Sequence, residues 1–73
     1  MNVINNALYT TALETEREWM RAIAREFPGK RPGDVRYTAQ GKGTPGSTLR
    51  EAHDAHYVAN KLWLDYLRDQ VAA

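Results

Sequence analysis

Every proline and every glycine of the chain, three and five respectively, falls between Pro28 and Gly46. Proline removes a backbone donor and clashes with the preceding turn, and glycine costs about 1 kcal/mol against alanine in a helix interior. The segments on either side carry none of these breakers, so each is free to run as one long helix. The stretch between them cannot.

The downstream segment reads as a single amphipathic helix over about 48–70. Thr48 is the expected N-cap, because Glu51 three residues on completes a Thr-x-x-Glu capping box. Ala52, Ala55, His56, Ala59, Leu62, Trp63, Tyr66 and Leu67 recur at three- and four-residue steps, one side of a 3.6-residue period. Arg50, Asp54, Lys61, Asp65, Arg68 and Asp69 fall mainly opposite. The inner face is small at its start, where three alanines lie, and bulky at its end.

Upstream, the pattern predicts a helix over about 6–27, capped by Asn5 or Asn6. Ala7, Leu8, Ala12, Trp19, Met20, Ile23 and Phe27 form its apolar stripe, with Leu13 beside it. Five polar residues, Glu14–Glu18, interrupt the stripe. Two further Thr-x-x-Glu patterns, Thr11/Glu14 and Thr15/Glu18, are alternative starts. Phe27-Pro28-Gly29 stops the helix, since a residue before proline is pushed out of the α region. Val3 and Ile4 are apolar enough to dock, but Met1–Asn5 has no strong structural signal.

In the connector, Pro32-Gly33 is a turn signal. Val35-Arg36-Tyr37-Thr38 alternates apolar and polar, which suits a short strand; without a partner strand, it is expected to lie extended on the helices through Val35 and Tyr37. Gln40-Gly41-Lys42-Gly43 has little to hold it and is expected to be mobile. The fold class is therefore mainly α. A single domain over 1–73 holds two long antiparallel helices, joined by a Gly/Pro-rich basic linker (28–47) with at most one short extended segment. Trp19, Ile23 and Phe27 should meet the alanine-rich start of the second helix, and Leu8 and Ala12 should meet Leu62, Trp63 and Tyr66.

A chain of 73 residues buries only about 60% of its unfolded surface, so a deep catalytic cleft would compete with the core for residues. The absence of cysteine excludes disulfides and zinc–thiolate sites and favours an intracellular home. No apolar run approaches the ~20 residues of a membrane span, and the opening lacks the pattern of a secretory signal. A net charge of +1 argues against bulk electrostatic binding to DNA. Its distribution says more. Residues 17–43 carry seven basic groups against three acidic ones, a net of +4, between flanks that are both negative.

Weighed one by one, the candidate sites are mostly weak. His53 and His56 are one helical turn apart, a spacing that can hold a metal, but Asp54 as a third ligand should point elsewhere. One histidine is expected on the surface and His56 at the core edge. Ser47 has no base near it in sequence, and Glu14, Glu16 and Glu18 fit a solvated helix face better than a pair of catalytic carboxylates. Gly41-Lys42-Gly43 lacks the frame of a phosphate-binding loop. No catalytic residue, metal ligand or cofactor follows, and no enzyme is expected. The basic island is the exception. Arg17, Arg21 and Arg25 make a row along the first helix, and Lys30, Arg31, Arg36 and Lys42 continue it into the linker, with Tyr37 interleaved. These eight are the candidate partner-binding residues. Forked arginine donors suit phosphate or carboxylate, so nucleic acid and an acidic protein surface both stay open.

The Met1-Asn2-Val3-Ile4-Asn5-Asn6 opening, the length and the lack of cysteine resemble the small RNA polymerase-binding transcription regulators of lytic Xanthomonas bacteriophages, over all 73 residues. The resemblance implies a partner, host RNA polymerase, engaged through the N-terminal region of its β′ subunit and through its β subunit. It implies inhibition of initiation by displacing sigma factor, antitermination during elongation, and action in the cytoplasm of the infected host. A monomer is expected, with nucleic acid contacted at most indirectly. The resemblance rests on no motif, so it assigns no contact residues.

Overall fold

A computed structural model describes residues 6–72. Two long helices, α1 (Asn6–Glu26) and α4 (Thr48–Ala72), pack side by side, and two single-turn helices, α2 (Pro32–Val35) and α3 (Ala39–Lys42), lie between them in the chain. Tyr9 meets Trp63, Thr15 meets His56 and Trp19 meets His53, so the long helices run antiparallel. The molecule is a rod of 44 × 21 × 17 Å. The expectations for Val3, Ile4 and an Asn5 cap lie outside the described residues.

α1 ends as expected at the proline: Phe27 N–H still reaches Ile23 O (2.8 Å), and Pro28 cannot continue the ladder. The Thr11/Glu14 and Thr15/Glu18 patterns start nothing. Thr15 Oγ1 instead donates to Thr11 O (2.8 Å) and Ala12 O (3.1 Å) within the helix, the back-bonding open to a mid-helix threonine. At the head of α4 the cap is Ser47, not Thr48. Ser47 Oγ accepts the Arg50 N–H (3.0 Å), and Ser47 O accepts the first helical bond, from Glu51 N–H (3.0 Å). Thr48 is the first helical residue, so the capping-box pattern is out of register by one.

The linker is the main correction. Neither a strand at 35–38 nor a loose loop at 40–43 is present. Proline at the first helical position and Asp34 two residues on favour one turn of α2. The period-two reading failed because Val35 is buried while Tyr37, two residues on, is 84% exposed. Thr38 reverses the chain, its N–H and its hydroxyl both donating to Val35 O (2.9 and 2.7 Å). α3 then brings Gly41 against the core, where Trp19 Nε1 donates to Gly41 O (2.8 Å). A Cβ at Gly41 would collide with Val35 O and lie 2.8 Å from Arg36 Cα, so only glycine fits that approach. Gly43 ends α3 at φ 81°, a left-handed angle that glycine adopts freely.

Trp19, Ala22, Ile23, Val35 and Leu49 form the core, with Met20, Phe27 and Ala52 packed against it. As expected, Trp19, Ile23 and Phe27 meet the start of α4, but Leu49 and Ala52 receive them and Ala55 is exposed. The far end differs more. Ala12 and Ala59 are buried there and the Tyr9 ring meets Trp63 at a tilt, centroids 5.1 Å apart, while Leu62 is 51% exposed and Leu67 also faces outward.

Candidate interaction surface

The eight basic-island candidates divide. Arg17, Arg21 and Arg25 are exposed along α1 as their four-residue spacing requires. Arg21 pairs with Glu18. Arg17 and Arg25 have no carboxylate partner among the described residues. Lys30, Arg31 and Lys42 are exposed in the connector. Lys30 Nζ lies 5.8 Å from the Phe27 ring centroid and 3.4 Å from Gln40 Oε1, which fixes it against α3.

Arg36 is not part of this outward group. Its guanidinium lies 5.1 Å from the Trp19 ring centroid and 5.3 Å from that of Tyr37, and it pairs with Glu16 at 3.3 Å. A half-buried cation over an aromatic face and beside a carboxylate is a latch between α2 and α1. Tyr37 carries that guanidinium over one face of its ring and otherwise faces solvent.

Both histidines face Trp19, not His56 alone. His53 meets the indole edge-on at 5.2 Å and His56 stacks on it at 5.4 Å. Asp54 does not point away: its Oδ1 lies 2.9 Å from His53 Nδ1. Among the described residues no three His, Cys, Asp or Glu side chains converge as a metal site would require. His56 Nδ1 lies 3.4 Å from Thr15 Oγ1. Burial holds its pKa below 6.5; the nearby Glu16 carboxylate opposes that shift, and the Arg36 guanidinium reinforces it. The imidazole–indole–guanidinium stack is thus a packing element of the helix pair.

Sequence reasoning missed the side of α4 turned away from the core. Tyr57 (63% exposed), Val58, Leu62, Leu64 (52%), Leu67 and Val71 (87%) make α4 the main carrier of exposed large apolar side chains. The signal was present. Tyr57, Leu64 and Val71 are seven residues apart, with Leu67 between the last two, a heptad-like series beside the 3.6-residue stripe that faces α1. Four of these, Tyr57, Leu64, Leu67 and Val71, run along one side of α4 and exceed the scatter of single apolar residues normal for a surface, whereas Val58 and Leu62 lie on the opposite flank of the helix.

Among the described residues no helix is long and apolar enough to cross a membrane. Comparison of the chain with protein-family models, with curated proteins and with solved structures finds no match.

Proposed function

We propose that this chain is a phage-encoded transcription regulator that binds host RNA polymerase in the infected cell, acting by contact and not by catalysis. Binding through the β′ N-terminal region and the β subunit would displace sigma factor, inhibit initiation and favour antitermination. The observation that supports a binding role is the row of exposed apolar side chains on α4, which the helix pair leaves uncovered. Exposed apolar surface of this kind, rimmed by charge, marks protein contact. The polymerase as partner rests on the resemblance of the chain to the phage regulators.

The test is a reconstituted transcription assay with purified Xanthomonas RNA polymerase. Stoichiometric addition of the chain should suppress promoter-dependent initiation, release sigma from the holoenzyme and raise read-through at a terminator. Holoenzyme that retains sigma and terminates as before refutes the reading. A second reading, direct nucleic-acid binding, is favoured by the exposed Arg17, Arg25, Arg31 and Lys42, which lack carboxylate partners among the described residues. Phosphate neutralisation by four cations would give a log–log salt slope near roughly −3.6. We expect no tight binding of duplex DNA; a sub-micromolar Kd at physiological salt with that slope would move the assignment to nucleic acid.

A further inference from the structure

The uncovered side of α4 has a specific shape. A hollow of about 340 Å³ is lined by Tyr57, Asn60, Lys61, Leu64, Asp65 and Arg68. All six belong to one helix, so the hollow has no opposing wall, and a small ligand would stay half in water. Only a body large enough to bring its own wall can bury it.

The spacing of the lining residues says what kind of body. In packed helices a side-chain knob seats in a hole made by four residues of the facing helix, and neighbours on a helix surface lie three and four positions apart. Residues 57, 60, 61 and 64 are one such set of four, and 61, 64, 65 and 68 are the next. The hollow therefore spans two consecutive sets: the first is flanked by the apolar Tyr57 and Leu64, the second by Leu64 and the ion-paired Lys61, Asp65 and Arg68. Leu67 and Val71 extend the same apolar line beyond the second hole.

The rim supplies the sign. Lys61 Nζ lies 3.2 Å from Asp65 Oδ2, and a guanidinium nitrogen of Arg68 lies 2.9 Å from Asp65 Oδ1. One carboxylate thus serves two exposed cations and leaves a surplus of one positive charge beside the holes. A second copy of the chain would set that surplus against its own like.

We infer that this face of α4 is the seat of an amphipathic helix from a partner protein, whose apolar stripe carries acidic residues on its flanks. The inference deepens the protein-binding reading and rests on it for the partner being a protein. An apolar knob of the partner helix enters the hole bounded by Tyr57 and Leu64. Its flanking carboxylates meet Lys61 and Arg68, as they do across a coiled-coil seam.

The probe is a three-heptad synthetic peptide with leucine at a and d and glutamate at e and g, titrated against the full chain by fluorescence anisotropy. A matched peptide with lysine at e and g is the control. The glutamate peptide should bind at least roughly tenfold tighter than the lysine peptide. Leu64→Gln should weaken it by a similar factor, and Lys61→Glu with Arg68→Glu should invert the preference. These side chains are exposed, and an unchanged melt by circular dichroism verifies that each variant folds. Equal affinity for the two peptides, no binding of either, or insensitivity to Leu64→Gln overturns the inference. So does sedimentation showing a wild-type dimer that Leu64→Gln dissociates, since the occupant is then a second copy. Failure of the chain to bind polymerase while the peptide result holds would sink the polymerase assignment alone.

Discussion

Replacing Trp19 with phenylalanine isolates what ties the connector to the helix pair. The phenyl ring can still face His53 and His56, but it has no N–H to donate to Gly41 O, which receives that bond at 2.8 Å in a buried position. A buried carbonyl left without its donor costs about 1–3 kcal/mol. The smaller ring adds about 1 kcal/mol of lost packing, so about 2–4 kcal/mol is expected in all. A domain of this size has only ~3–5 kcal/mol to lose. At ~4–8 °C per kcal/mol for so short a chain, the melting temperature should fall by at least ~8 °C. Thermal and urea melts by circular dichroism measure the loss. Amide exchange shows where it falls: Gly41 and Lys42 should lose protection before Ala22 and Ile23 do. Trp63→Phe is the matched control, because Trp63 is only half-buried and its described contacts are to the rings of Tyr9 and Tyr66; it should cost less than ~1 kcal/mol. A Trp19→Phe melt within ~2 °C of wild type, with Gly41 as protected as before, would show that the indole does not hold the connector.

Ser47→Ala should destabilise by ~1 kcal/mol in a urea melt, while Thr48→Ala should be near neutral; the reverse order would restore Thr48 as the cap. Gly41→Ala should lower stability by ~1–3 kcal/mol, because backbone and not a yielding side chain stands in the way, whereas Gly29→Ala meets nothing within 4 Å and should cost nothing measurable. His56 binds its proton less readily folded than unfolded, so the unfolded state takes up more protons and stability falls with falling pH. Its contribution should be fully present above pH 6.5, the unfolded value, and be lost progressively below it; His56→Gln should flatten that part of the melting-temperature profile, and an unaltered profile would refute the linkage.

Much of the helix pair was legible because breakers mark its limits. Confining Pro and Gly to 28–46 fixed where α1 stops and α4 begins, and the 3.6-residue stripe placed Trp19, Ile23 and Phe27 inward. The connector was not legible, for a physical reason. Its structure comes from tertiary contacts: Val35 enters a space left by Ala22 and Leu49, and Gly41 O meets an indole N–H twenty-two residues away in sequence. Local propensity at Val35–Thr38 pointed to a strand and was overridden. Arg36 was misplaced on the same account. A basic residue in a basic run reads as solvent-facing, and nothing local announces that Trp19 and Glu16 wait beneath it. On α4 the error was to accept one stripe. Leu62 and Leu67 fit the 3.6-residue period within the tolerance of the wheel, yet α1 is a single rod and can cover only part of the apolar circumference. The rest is the candidate site.

The core and the proposed binding surface are set apart along this molecule. The core residues Trp19, Ala22, Ile23, Val35 and Leu49 all lie at the connector end, where α2 and α3 close over the helix pair. Toward the other end Ala12 and Ala59 are buried and the rings of Tyr9 and Trp63 meet. The two holes lie on the stretch of α4 that leads away from the connector. A helix seated in them would bind the ordered state alone and so stabilise it by mass action. The connector, fastened through Val35 and Gly41, keeps α1 and α4 in register whether or not the face is filled. Its exposed Lys30, Arg31 and Lys42 are thereby presented from a fixed framework and lose little freedom on meeting an acidic surface. The sequence had suggested a loose arm that grips. The structure instead offers two fixed surfaces, one apolar and one cationic, on opposite stretches of a short rod.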